Sequence, residues 1–321
     1  VAAPGRLPSR AAGRPTRRTL PVAETPTPNG MERRRTIRIK RSGLLQWKLE
    51  DIDRPSIKIA ETVDEYEQAF RLVHDTYLRT GYLKEPQPNG MLFGIHSLLP
   101  ETVVFVAKSY LTVLSTLTEI FDTPEFGLPM DVIYRRELDS LREKDRKIVE
   151  LSALVTPPKL RWRNLFMLLA QIMYQYSRYR GVNDLCIAVN PKHVRFYKTI
   201  FLFENFGPER HYPRVDAPAI ALRVNMDDIA ERLKKTYDSL EVDCNLYAYF
   251  HRMTGFLPEE AQPDLPASRS KSAGPVIANG RRTKVVRHFL ELDPSLLENL
   301  TPEQRAYLYE SYPQLPRGPS A

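Results

Sequence analysis

Across residues 148–203 the apolar positions change period twice. Val149, Leu151, Ala153 and Val155 recur at every second residue, with Glu150, Ser152 and Leu154 between them, which is the spacing of a strand with one apolar face. Glu150 and Ser152 then share the other face, aimed at a surface or a cleft. Over 164–179 the period lengthens: Leu165, Phe166, Leu168, Leu169, Ile172, Met173 and Tyr176 fall at helical spacings, and Gly181 ends the helix. Residues 184–189 form a short continuous apolar run, the pattern of a strand buried on both faces of a parallel sheet. Strand, basic turn, helix, strand and helix make a βαβα unit. Its right-handed crossover brings the start of the long helix to the carboxyl ends of both strands, where open α/β sheets bind ligands.

The flanks extend this sheet. Residues 57–60 predict a first strand, and 63–78 a helix with Tyr66, Ala69, Phe70, Val73 and Tyr77 on one face, opened by a capping box between Thr62 and Glu65. The stretch 84–100 is rich in Pro, Gly and Asn and carries Met91, Leu92, Phe93 and Ile95 in exposed-looking positions, so it reads as a functional lid. Residues 101–108 and 111–120 predict a hairpin turning at Ser109 and Tyr110. A charged helix then runs to about Lys147, and 210–224 reads as a last strand pair around 215–218. Residues 226–253 read as helical. From Leu257 onward the chain is Pro-rich with basic clusters, and only 290–309, with Thr301-Pro-Glu-Gln as a cap, predicts a further helical piece. The expected organisation is an arm (1–54), an α/β (α+β) domain with a mixed sheet flanked by helices (55–226), a helical extension (227–256) and a Pro-rich tail with short helical segments (257–321).

Charge changes the picture mainly at the amino-terminal end. The chain has 47 Lys and Arg against 39 Asp and Glu, and the first 54 residues hold 13 of the former and 5 of the latter, leaving 34 of each beyond Arg54. The basic character therefore belongs to the arm. Most of it, 1–30, is expected to be disordered, because it cannot bury enough apolar surface to offset its chain entropy. The arm reads first as a solvated tail. A second reading is peripheral contact with an anionic membrane surface through Arg33, Arg34, Arg35, Arg38, Lys40 and Arg41, with Leu44, Leu45 and Trp47 beside them. No nucleic-acid recognition motif accompanies the charge. Met31 heads the basic run, which leaves open whether 1–30 is native. No apolar h-region and no run of 18 apolar residues occurs, so a cytoplasmic address is expected, peripheral at the inner membrane face on the second reading. Cys186 and Cys244 are too few for a disulfide framework, and the six dispersed histidines give no metal site.

The strand Glu-Leu-Ser-Ala-Leu-Val (150–155), the Arg-rich turn after it and the segment Ala-Val-Asn-Pro-Lys-His-Val-Arg-Phe-Tyr (188–197) resemble the GNAT superfamily. Within it they are most similar to the bacterial long-chain N-acyl amino acid synthases, relatives of the acyl-homoserine lactone synthases. Residues 127–134 and the helix-and-exit segment 71–82 share the resemblance. It implies a GNAT-like mixed sheet and transfer of a fatty acyl group from acyl carrier protein to the amine of an amino acid. No permanently bound cofactor is implied; the acyl-phosphopantetheine of the carrier is the co-substrate, with acyl-CoA as the alternative.

Such a reaction needs a base for the amine and a stabiliser for the oxyanion. Glu150 is the candidate base, matching the family's Glu-x-Ser-Ala motif, against the alternative of a surface carboxylate. Tyr197 matches the position of the superfamily's general-acid tyrosine, against a packing role. The resemblance implies donor or carrier binding at Lys159, Arg161, Arg163, Asn164 and Asn190, and acceptor or acyl-chain contacts at Arg71, Tyr82, Phe93, Ser152 and His193. Asn164 and Phe166 replace both glycines of the superfamily's pyrophosphate loop. That departure favours a carrier-protein donor, whose acidic surface would meet Lys159, Arg161, Arg163, Arg178, Arg180, Lys192 and Arg195. An apolar tunnel is expected to lead from Glu150 toward the 84–100 loop. The competing readings are a CoA-dependent GNAT acetyltransferase and a non-catalytic GNAT-like lipid-binding module.

Overall fold

Thr62 and Glu65 form the capping box their spacing predicts, and each element that follows can be traced to a similar local cause. The computed structural model describes residues 30–46, 52–252 and 278–316. In chain order the elements are α1 (Gly30–Ser42), β1 (Pro55–Ile59), α2 (Val63–Thr80), β2 (Val103–Ser109), β3 (Thr112–Phe121), α3 (Asp131–Arg142), β4 (Ile148–Val155), α4 (Leu165–Tyr179), β5 (Asp184–Val189) and α5 (Pro191–Ile200). They continue with β6 (Glu204–Asn205), β7 (Arg210–Tyr212), β8 (Ala217–Asn225), α6 (Ile229–Tyr237), α7 (Leu246–His251), α8 (Gly280–Leu292), α9 (Ser295–Glu298) and α10 (Pro302–Ser311). The sheet is mixed, with strand order β1-β2-β3-β4-β5-β8-β6, and β7 pairs with β8 beside it. Among the described strands only β4 and β5 run parallel.

Two apolar layers sandwich the sheet. Alternation sends Val149, Leu117, Phe121 and Leu185 to the face covered by α4, where they join Leu165, Leu168, Leu169 and Ile172. Ile148, Ile120 and Cys186 point the other way, against Leu128, Met130, Tyr134 and Leu138 of α3 and its approach. Gly207 is required there: a Cβ would stand 2.7 Å from the Tyr134 ring, whose hydroxyl donates its one proton between the carbonyls of Ala219 (2.7 Å) and Pro208 (2.9 Å). The charged helix expected to run to about Lys147 ends at Arg142, because Asp145 turns into the left-handed region at φ 55 before β4 begins.

The carboxyl-terminal extension is helical, as expected, and both extensions make contacts that local pattern does not reveal. Residues 1–29, and with them most of the arm, lie outside the described residues, as does Trp47. The segment 30–46, however, is ordered: α1 docks on the α4 side of the sheet, with Ile39 and Leu44 buried in the main cluster. Arg35 donates to the Thr199 carbonyl at 2.9 Å and lies 5.3 Å from the Tyr237 ring centroid. The helix has too few apolar positions to show a period, and it is held by specific contacts with α5 and α6 instead.

At the other end, α8 and α10 are structural rather than tail-like. Val285, Val286, Phe289, Leu308 and Tyr312 form one cluster with Tyr66, Phe70, Met91, Leu98 and Val104. The capping box at Thr301 and Gln304 is present. Arg282 donates to the carbonyls of Ser97 and Leu99 at 3.1 and 3.0 Å, and the Tyr312 hydroxyl to Leu98 at 2.6 Å. The 84–100 loop is consequently pinned. Met91 is buried and Phe93 sits between Phe70 and Phe289, at centroid distances of 5.4 and 4.9 Å. These side chains look exposed in the sequence because a principal partner, Phe289, lies 196 residues beyond Phe93.

Candidate functional site

The parallel pairing of β4 and β5 stops after three rungs, the last being Glu150 with Cys186. Beyond it the strands part. Ala153 lies in the left-handed region at φ 52, and the register of β4 against β3 shifts between Thr116 and Thr118, so the strand is bulged where it leaves its neighbour. Through the gap runs a cavity of about 830 Å³. On the α2 and α3 side it is lined by Thr76, Tyr77, His96, Glu150, Tyr212 and Arg214. On the α4 side its walls are apolar, with Leu165, Phe166, Met173, Phe201, Leu233 and Phe250 among them. Only Leu92, His96 and Ser97 of the 84–100 loop reach it. The larger apolar arm therefore runs away from that loop, toward α6 and α7.

Glu150 is the buried acid of this cavity. Burial pushes its carboxyl up to about 8, opposed by a hydrogen bond from the Met130 N–H (2.8 Å) and by the charge of Arg214. The Met130 donor is fixed by its surroundings. Asp131 accepts from the Leu128 N–H at 2.7 Å, and Arg142 ties Asp131 to Asp122 through contacts of 2.7 Å to each. This explains why the 127–134 segment accompanies the Glu-x-Ser-Ala strand. Among the described residues Glu150 forms no ion pair.

Tyr197 also lines the cavity; burial, with the nearby Tyr77, raises its phenol to about 12. Ser152, Tyr82 and His193 are lining residues too, with Lys192 placed 5.5 Å from the Tyr82 ring centroid. Burial lowers the His193 imidazole, as do the charges of Lys192 and Arg161. Arg161 and Asn190 lie on the lining, and the Asn190 side chain caps α5 by accepting from the Lys192 N–H. Asn164 sits at φ 52, and its amide donates to the carbonyls of Gly43 and Gln46 at 2.7 and 2.8 Å. That side chain is occupied by tethering the segment after α1.

Other expected residues fall elsewhere. Arg71 is exposed on α2, paired with Glu67 at 3.2 Å, because its helical position points away from the sheet. Phe93 belongs to the aromatic cluster under α8. Lys159 is exposed in the turn but is not on the cavity lining, and the side chain of Arg163 lies outside the described residues. The basic cluster also divides. Arg178 and Arg180 stand at the far end of α4, Arg178 against His251 and Arg180 buried with Glu101 at 3.0 Å.

Sequence reasoning missed Arg214. It lies in the turn between β7 and β8, on the cavity lining beside Glu150, Tyr77 and Tyr212, and a Cβ on Gly94 would come within 3.2 Å of its Nη2. Among the described residues it has no ion-pair partner. A lone arginine after a short strand carries no periodic or motif signal. No group of three His, Cys, Asp or Glu side chains able to hold a metal occurs among the described residues, and no described helix is long and apolar enough to cross a membrane.

Residues 68–225 match the family of the N-acyl amino acid synthase FeeM. The solved structure of FeeM, an N-acyl amino acid synthase from uncultured soil microbes, is similar to 56% of this chain over 95% of its own length, at 27% identity and a TM-score of 0.51. A structure of the CoA-dependent acyl-homoserine lactone synthase BjaI, with SAM and isopentyl-CoA, matches 56% of the chain over 89% of its own at 16% identity (TM-score 0.43). An N-acetyltransferase from Staphylococcus aureus Mu50 matches 54% over 99% at 13% identity (TM-score 0.40). Comparison with curated protein sequences gave no match. The matched segment runs from within α2 to the end of β8 and contains Glu150, the splayed strands and most of the cavity wall. Residues 68–225, just under half of the chain, match the N-acyl amino acid synthase family and share the GNAT fold, and the protein is an acyltransferase.

Proposed function

We propose that the protein transfers a long-chain fatty acyl group from acyl carrier protein to the amine of an amino acid, with Glu150 as general base. The observation that carries this reading is the position of Glu150: buried, unpaired by any cation among the described residues, and placed at the last paired rung before a cavity that crosses the sheet. The acyl chain takes the apolar arm along α4, α6 and α7, and the acceptor takes the polar side with Tyr77, Tyr212 and Arg214. The acceptor amine loses its proton to Glu150 and attacks the thioester carbonyl, and the tetrahedral intermediate collapses to an amide and a thiolate. Tyr197 gives its proton to that thiolate.

The oxyanion donor follows from ladder parity. The Asp122 N–H donates to the Ile148 carbonyl, so Ile148 and Glu150 direct their backbone groups toward β3 and the intervening residues direct theirs toward β5. Leu151 is the first residue of that set beyond the last β4 and β5 rung. Its N–H faces the gap where the thioester carbonyl would lie. Arg214, a cation on the acceptor side with no ion-pair partner among the described residues, pairs with the α-carboxylate of the amino acid.

Two features favour a carrier protein over coenzyme A as donor. The backbone of Gly43 to Gln46 lies against the amino-terminal end of α4 through Asn164, and Phe166 packs against Phe196 and Phe201 where a pyrophosphate loop would leave open space. A single phosphopantetheine phosphate asks less of that turn than a pyrophosphate does. A short-acyl transferase would not need an apolar arm of this size, and a lipid-binding module would have no use for a buried carboxyl at the strand gap. The test is mass spectrometry of lipid extracts from cells expressing the protein or its Glu150→Gln variant. N-acyl amino acids present with the first and lost with the second support the reading; equal amounts, or none with either, overturn it.

A further inference from the structure

The carrier-protein donor proposed above needs a docking surface, and the basic residues that sequence spacing offered do not supply a continuous one. Arg178 and Arg180 sit about 20 Å from the start of α4, at the rise of an α-helix per residue. What flanks the cavity mouth instead is α1. Arg34, Ile37, Arg38 and Arg41 recur at helical spacing on one exposed face, opposite the buried Arg35 and Ile39.

This face adjoins the mouth directly. The Arg38 guanidinium lies 4.9 Å from the ring centroid of Phe196, and Phe196 lines the cavity together with Arg161 and Lys192. Asn164 at the mouth holds the carbonyls that follow α1. We propose that the exposed face of α1 is part of the surface that docks the acyl carrier protein, continuing the basic rim of the cavity. The partner it fits is an acidic protein with carboxylates around a small apolar spot, since Ile37 is 39% exposed in the middle of the arginines. All of α1 precedes the family-matched segment, so this docking element is supplied by the chain's own extension.

The experiment uses the full chain and its Arg34→Glu/Arg41→Glu variant, which leaves Arg38 on Phe196, with palmitoyl acyl carrier protein and palmitoyl-pantetheine as donors. The reversed side chains are exposed, and the buried face of α1 is untouched, so thermal melting should coincide with the wild type. The expected result is a KM for palmitoyl acyl carrier protein raised about 10-fold or more and less sensitive to salt, with turnover of palmitoyl-pantetheine unchanged. An unchanged KM in a wild-type enzyme that uses the carrier overturns the role of α1 and leaves the donor reading standing. A wild type that uses palmitoyl-CoA but not the carrier overturns both. Sedimentation with phosphatidylglycerol vesicles separates the other source of negative charge: vesicle binding lost in the variant, with carrier kinetics unaltered, assigns α1 to a membrane surface and overturns the proposal.

Discussion

The Met130 N–H and the Glu150 carboxylate are joined by a 2.8 Å hydrogen bond across 20 residues of chain, inside a site that otherwise withholds solvent from the acid. The bond favours the ionised form and burial opposes it, and burial is the larger effect, so the carboxyl titrates at about 8. A base must be ionised to work. Activity should therefore rise with pH up to about 8 and flatten above it. Glu150→Gln keeps an acceptor for Met130 but removes the basicity, which should cost about 100- to 10,000-fold in rate. The defect should shrink at high pH, where more of the acceptor amine is already neutral. A pH series of kcat/KM for both proteins checks this, and undiminished turnover in the variant would remove Glu150 from the mechanism.

The polar side of the cavity was its least legible part. Glu150 was recoverable because alternation and the strand motif both mark it, and Tyr197 because it falls in a motif at a helix start. Arg214 has neither mark: its position depends on a three-residue strand and a turn closed by Asp216 at φ 42, features set by pairing with β8. The bulge at Ala153 was equally hidden, since nothing in the residue type announces a positive φ. Phe93 and the 84–100 loop were misread for a different reason. Local pattern shows that a side chain is apolar, whereas its partner here, Phe289, comes from an extension that reads as a tail. The same holds for α1, whose contacts with Thr199, Tyr237 and Phe196 are all long-range.

Arg214→Ala should raise KM for amino acid acceptors by about 10- to 100-fold, the loss expected for one charge-assisted hydrogen-bonded pair. Effects on kcat should be smaller, because the carboxylate is bound in ground and transition states alike. Steady-state kinetics with a mixture of the 20 protein L-amino acids, and with their α-amides, checks it. Equal losses with acids and amides would contradict a carboxylate contact.

Tyr197→Phe tests the leaving-group proton. The phenol, raised to about 12 by burial, remains protonated across the working range and can donate to a departing thiolate. The variant should be slowed most with thioesters of high-pKa thiols and least with aryl thioesters. A uniform loss across a leaving-group series would assign Tyr197 to packing against Phe196, Phe201 and Phe203 instead.

Phe289→Ala tests whether α8 is integral to the fold. The ring is fully buried and contacts Tyr66, Phe70 and Phe93, so its removal leaves a cavity and should cost about 3 to 5 kcal/mol. Denaturant unfolding measures it. A loss under 1 kcal/mol would mean that the terminal helices contribute little to stability.

Glu119 offers a stability test independent of catalysis. It is fully buried on β3, with Oε1 accepting from the Ser177 hydroxyl at 2.8 Å and Oε2 without a partner among the described residues. Burial raises its carboxyl to about 8, against smaller opposing effects of Ser177, Arg180 and Lys147. The folded state thus holds a proton that the unfolded chain releases near 4.5. Stability contributed by this group is complete below that value, falls as pH rises toward about 8 and changes little above it. Glu119→Gln keeps the acceptor for Ser177 and cannot ionise. Relative to the wild type its melting temperature should be nearly unchanged at pH 5 and clearly higher at pH 9, with the difference growing across the interval between. Thermal melts at half-unit steps measure that difference, and a gap that is constant with pH would show that Glu119 is not the group that titrates.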